Sequence, residues 1–153
     1  MASIRSEIGE NMDRYLYKAK RLDNEEWVTG SLITCEDGTC KIATSLLESK
    51  ANEPILVCAY DVDRDTICQC TGLKDKNGKL IWENDICDRK EEYPEIVKYN
   101  NGDWTLDYSY SKGKESGYCY CNLGFYALER NCVEVVGNIF DNAELLESEG
   151  QYD

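Results

Sequence analysis

The sequence predicts a mainly β protein: a small antiparallel barrel or sandwich, with an SH3-like or similar barrel core and a short helix at each end. Short alternating or β-branched runs fill the interior of the chain. Glycine-bearing turn signals separate them about every ten residues, the spacing expected of an all-β domain. Helical stripes are confined to the termini. A length of 153 residues suits one domain large enough to bury a core without a covalent staple.

In chain order, Ser3 can cap a short helix whose Ile4, Ile8 and Met12 lie on one stripe. The run RYLYKAKRL alternates, DNEE turns, and WVTGSLITC returns as the second arm of a hairpin. PILVCAYDV is continuously apolar and β-branched after Pro54, which predicts a strand buried on both faces or docked in a core. TICQCTGL leads into TGLKDKNGKLIWENDI, where Asn77-Gly78 predicts a type I′ turn with both residues at positive φ. EIVKYN and DWTLDYSY flank a turn at Asn101-Gly102, and GYCYCNLGFYAL and CVEVVGNIF complete the strands. NAELLESEG closes the chain as a short helix with Asn142 as its cap, Glu144 in its first turn and Gly150 as its stop, so that residues 14–140 form the β-rich domain and 141–153 a helix and acidic tail.

Charge excludes one broad class. The chain carries 30 acids and 17 bases, a net charge of −13 that deepens after Lys76. Such a surface repels phosphate backbones, so non-specific nucleic-acid binding is not expected. The acidity serves solubility or offers a negative face to a basic partner, such as the nucleic-acid groove of a host enzyme. No segment has the roughly 18 uninterrupted apolar residues of a membrane helix. The charged N-terminus has no signal-peptide core, so a cytoplasmic protein with reduced thiols is expected.

Histidine is absent. That removes Ser-His and Cys-His nucleophile pairs and every imidazole zinc site, and leaves carboxylates, lysine, tyrosine or a metal for any catalysis. Among the nine cysteines, Cys68 with Cys70 and Cys119 with Cys121 form two Cys-x-Cys pairs. In strands each pair would present two sulfurs on one face and together hold zinc, although one intervening residue is not the knuckle spacing of structural zinc sites. The competing reading is reduced cysteine used as a small apolar residue. Asp61, Asp63 and Asp65 imitate the start of a calcium loop, but Thr66 replaces its glycine and Gly72 its twelfth-position glutamate. Glu83 and Asp85 could pair for acid–base work, yet carboxylates at a strand end more often accept hydrogen bonds from turn amides. No catalytic residue and no cofactor is expected. The aromatics of WTLDYSYSKGKESGYCY have only Lys112 and Lys114 among them, which favours cross-strand pairs or a protein-binding face over base stacking.

Three blocks, YLYKAKRLDNEEWVTGSLI, TGLKDKNGKLIWENDI and VEVVGNIFDNAELLE, resemble the YopX-like proteins of phages and prophages over roughly Tyr15 to Glu147. The central block matches at Gly72, Asp75, Asn77, Gly78, Glu83 and Asp85 among others, and the closing block at Gly137 and Asn138; these read as structural positions of the family motif. Asn84, Cys70 and Ala143 depart from the pattern. The resemblance implies a β-rich barrel-like fold with residues 1–13 as an N-terminal extension, a phage origin, action inside a bacterial host and self-association, and it implies no reaction. The expected function is therefore a non-enzymatic interaction protein that binds a host or phage protein, in one version an acidic anti-CRISPR or anti-restriction inhibitor. The alternatives are a structural homo-oligomer and a carboxylate- or metal-dependent enzyme.

Overall fold

Alternation and turn chemistry produce antiparallel strand pairs through most of the described residues. The computed structural model describes residues 12–45, 57–111 and 120–147. By its internal contacts the chain divides into two compact units, one ending at Cys70 and one beginning at Thr71.

In the first unit, residues Asp13–Tyr15 form a single 3₁₀ turn, and the expected N-terminal helix falls outside the described residues except for Met12. The hairpin of RYLYKAKRL and WVTGSLITC is β1 (Tyr17–Lys20) with β2 (Trp27–Thr34), paired Tyr17 to Gly30 and Lys20 to Trp27. The sequence reading assigned nothing to KIATS, which forms β3 (Cys40–Ser45) between β2 and β4 (Val57–Val62). Its Lys41 and Thr44 dilute the apolar signal, while Ile42 is fully buried. β4 corrects the expectation of a strand covered on both faces: its exposure alternates, Val57 is 59% exposed, and it ends the order β4-β3-β2-β1-β5. The far end of β4 does turn inward. A bridge between Arg21 and Val62, with Leu22 N–H to Asp61 O and Asp63 N–H to Lys20 O, curls the sheet around a core of Ala19, Ile42 and Val62. Gly30 lets β2 and β3 approach here, since a Cβ at that position would collide with the Ala43 carbonyl oxygen.

β5 (Cys68–Lys74) starts in the first unit, and its later residues, from Thr71 on, belong to the second, where they neighbour β6 (Leu80–Trp82). Gly72, at φ +79°, breaks the strand's regularity, while the Thr71 hydroxyl donates to Ile81 O and accepts from Leu73 N–H. A five-stranded sheet follows in the order β10-β9-β8-β7-β11, made of β7 (Asp85–Asp88), β8 (Glu95–Asn100), β9 (Asp103–Asp107), β10 (Tyr120–Asn122) and β11 (Glu134–Asn138). Its core is Ile81, Cys87, Val97, Leu106, Leu123, Ala127 and Val133. The mainly β expectation therefore holds, with open antiparallel sheets in place of a closed barrel. NLGFYAL, expected as strand, is instead one wide helical turn at Phe125–Glu129, closed by Arg130 N–H to Phe125 O and started by Phe125 N–H to the Asn122 side chain. The closing helix spans Glu144–Glu147, and Gly150 lies outside the described residues.

The Asn77-Gly78 turn is not type I′. Gly78 alone has positive φ (+81°), and Gly78 N–H bonds Asp75 O while Asp75 N–H bonds Lys79 O. This is a three-residue loop, a type I turn followed by a left-handed glycine. The type I′ turn sits at Asn101-Gly102, where φ is +52° and +83° and Asn100 pairs directly with Asp103. The reason for the first turn's form is Asp75. Its carboxylate, 5% exposed, accepts Asn77 N–H and Lys79 N–H on Oδ1 and Val135 N–H on Oδ2, each at 2.9 Å. One side chain thus shapes the turn and fastens it to β11. At β11 the strand bulges between Val135 and Gly137, where a Cβ would lie 2.5 Å from Asn142 Oδ1. Asn142 Oδ1 accepts Asn138 N–H, and Asn138 Oδ1 in turn accepts Phe140 and Asp141 N–H.

Burial raises the cost of charging Asp75, but the three backbone donors outweigh it and hold its carboxyl below the ordinary 3.8. Because the folded value is the lower one, Asp75 stabilises the protein above its unfolded pKa, and that contribution is lost as pH falls through the depressed folded value. Asp75→Asn should cost roughly 2–3 kcal/mol in urea unfolding at neutral pH, since an amide turns an N–H toward backbone donors. The difference from the wild type should narrow in acid. Gly78→Val should cost about 1 kcal/mol through backbone strain alone, because nothing lies within 4 Å of a Cβ there.

Candidate functional site: a buried arginine–glutamate pair in an acid-lined pocket

Most residues singled out in the sequence are accounted for by structure. Cys68 and Cys70 are buried at alternate positions of β5, and the Cys68 thiol donates to Thr66 O. Cys121 lies on β10, and Cys119 falls outside the described residues. Among the described residues, no group of three or more Cys, Asp or Glu side chains is placed to hold a metal ion. Asp61 pairs with Lys41 at 2.5 Å, and Asp63 caps a 3₁₀ turn at Arg64–Thr66 by accepting Asp65 N–H. Of the pair Glu83 and Asp85, Asp85 is buried and accepts Trp82 N–H at 2.8 Å, while Glu83 is half-buried in the turn between β6 and β7. Asn84 takes φ +69°; its N–H donates to Val97 O and its carbonyl accepts Ile139 N–H.

A different group carries the chemistry. β7 ends at Asp88, and the connection to β8 runs through DRKEEYPE, with Lys90 at φ +67° and Lys90 N–H held by Asp88 Oδ1. This places Arg89 over the first residue of β8, Glu95. Arg89 Nε donates to Glu95 Oε1 at 2.5 Å, one terminal nitrogen reaches Glu91 Oε1 at 3.0 Å, and the other lies 3.4 Å from Cys121 Sγ. The guanidinium rests 4.2 Å from the centroid of Tyr126, which the wide helical turn supplies. Glu95 is 1% exposed, and among the described residues its Oε2 has no hydrogen-bond partner.

Beside this pair is a cavity of about 230 Å³ lined by Arg89, Glu91, Glu92, Tyr93, Glu95 and Tyr108. Pro94, between the lining residues Tyr93 and Glu95, accepts the Tyr110 hydroxyl on its carbonyl at 2.6 Å. Three carboxylates face one guanidinium, which is already engaged. Burial pushes the Glu95 carboxyl above its usual value of 4.5, and Arg89, working in the opposite sense, does not fully restore it. Burial likewise raises the Cys121 thiol despite Arg89, so it stays neutral at pH 7 and serves Arg89 as an acceptor, not as a nucleophile.

Sequence reasoning missed this site because one acid among 30 carries no label. A signal was present: in EIVKYN, Glu95 shares the inward face with Val97, a core residue, so the strand period commits a carboxylate to the interior.

Removing the partner of a buried charge costs more than the pair contributes. Arg89→Met, which keeps the stem over Tyr126, should therefore destabilise by about 3–5 kcal/mol at pH 7. The loss should shrink near pH 4, where Glu95 takes up a proton, and adding Glu95→Leu should restore much of it. Urea melts at the two pH values test this.

Residues 16–147 match the family model described as YopX protein. No curated protein matches the chain.

Proposed function

Because this chain belongs to the YopX family, we propose that it is a phage-encoded, non-enzymatic interaction protein that binds a host or phage protein through a basic surface on that partner. One version is an anti-defence inhibitor that occupies a nucleic-acid groove. The observation that carries the reading is the pocket at Arg89 and Glu95, where three carboxylates outnumber a single engaged guanidinium and one buried carboxylate oxygen has no hydrogen-bond partner among the described residues. Such a place favours a positively charged group and repels an anion. The wider charge agrees with it: the chain carries −13 overall, with the greater share after Lys76. Charge of this kind steers a basic partner and fixes its register, and the aromatic side chains around the pocket are residue types enriched where proteins meet.

Several of the buried or turn-forming acids serve the fold. Asp75 and Asp85 hold backbone amides, and Asp63 caps a turn. These assignments support binding over catalysis without recourse to anything bound.

Capture on the immobilised protein from lysate of the prophage-bearing bacterium should recover a basic protein whose complex weakens steeply between about 0.05 and 0.5 M salt, as the screening length shortens. Recovery of nothing, or of a neutral protein indifferent to salt, would count against the reading.

A further inference from the structure

We propose that the pocket beside Arg89 and Glu95 is a socket for one arginine side chain of the partner protein, with Glu95 Oε2 accepting a hydrogen bond from the incoming guanidinium. This rests on the reading that the partner is a protein, and it names the chemistry by which that partner is held.

The first argument is the unfilled acceptor. Glu95 is 1% exposed and is one of the residues lining the cavity; its Oε1 takes Arg89 Nε at 2.5 Å, and its buried Oε2 has no donor among the described residues. Buried polar atoms in folded proteins are ordinarily satisfied, so an open one beside a cavity marks the place of an absent donor. The second is charge. Glu91, Glu92 and Glu95 leave an excess of two negative charges over Arg89, whose own nitrogens point at Glu95, Glu91 and Cys121. Among the described residues lining the cavity, an anion meets no free cation, and a cation does have its counter-charge.

The third argument selects among cations. No three acidic or thiol side chains among the described residues are arranged around a metal position. The cavity, about 230 Å³, falls below the roughly 300–1,000 Å³ of pockets for drug-sized ligands and matches a side chain better. Tyr93 and Tyr108 line it alongside the acids. A guanidinium is flat, weakly hydrated and carries five donors, so it can meet Glu95 Oε2, a rim glutamate and a tyrosine ring together. A lysine ammonium is a compact, strongly hydrated point charge and loses more water for fewer contacts. The fold already holds one guanidinium this way, since Arg89 lies between the Glu95 carboxylate and the Tyr126 ring. Glu95 would then bridge two guanidiniums, one on each oxygen.

The test is an NMR titration of the full chain with Nα-acetyl-arginine methylamide, alongside the lysine analogue and the neutral citrulline analogue. Saturable shifts confined to the amides of residues 89–95 and Tyr108 are expected with arginine, weaker ones with lysine and none with citrulline. Glu95→Gln should weaken arginine binding about tenfold or more, as loss of a charge-assisted acceptor does. Should that variant fail to fold, Glu92→Gln on the exposed rim should still weaken binding by a factor of about two. No saturable shift with arginine, or equal shifts with citrulline, overturns the socket. A captured partner whose complex is indifferent to Glu95→Gln also overturns it and leaves the protein-binding reading standing. Arginine binding in the pocket with no partner captured supports the socket and counts against that reading.

Discussion

The carboxylate of Asp75 receives backbone N–H groups from Asn77, Lys79 and Val135, and the second unit is organised around that junction. Two of the donors belong to the loop between β5 and β6, and the third belongs to β11, 60 residues on. Lys76 N–H to Val133 O reinforces the same seam, and an ion pair between Lys76 and Glu134 lies over it. A short carboxylate is the side chain suited to this task, because it is an acceptor on both oxygens and can serve three amides that a buried loop would otherwise leave unpaired. The strand β11 then pairs with β7, which delivers Arg89 at its end. The turn chemistry and the candidate site are thus linked through continuous hydrogen-bonded strands.

Asp75 and Glu95 are both almost fully buried, and their surroundings drive them in opposite directions. Asp75 is surrounded by fixed backbone donors and is held in its charged form. Glu95 has one strong donor, Arg89, on one oxygen and nothing among the described residues on the other, so burial prevails. For Glu95 the folded state holds its proton to a higher pH than the unfolded chain does. Stability therefore falls as pH rises from about the ordinary 4.5 through the raised value. A group that diminishes its own fold at neutral pH, and sits beside a cavity, has the signature of a residue kept for binding.

Much of the architecture was legible because hairpins announce themselves locally. Tyr17 to Thr34, Glu95 to Asp107 and Glu134 to Asn138 carry alternation and glycine turns strong enough to place the strands. What escaped did so for physical reasons. The type I′ pattern at Asn77-Gly78 gave way to Asp75, a long-range partner that no dipeptide rule contains. β4 reads as a core strand by composition, yet sits at the end of its sheet order, where composition does not decide exposure. Phe125–Glu129 has apolar and aromatic residues that suit a strand, but Asn122 caps it into a helical turn that brings Tyr126 under Arg89. The carboxylates at Glu83, Asp85 and Asp61 to Asp65 drew attention by spacing. Glu95, which did not, is held inside with one oxygen unpaired among the described residues.

The account turns on two buried carboxylates with opposite environments, and carbon-13 NMR titration of the side-chain carboxyl signals measures both at once. It predicts that Asp75 titrates below 3.8 and Glu95 above 4.5 in the folded protein. Ordinary values for both, or the reverse order, would contradict it: Asp75 would not be the fully satisfied acceptor that organises the turn, and Glu95 would not be the buried acceptor waiting for a donor.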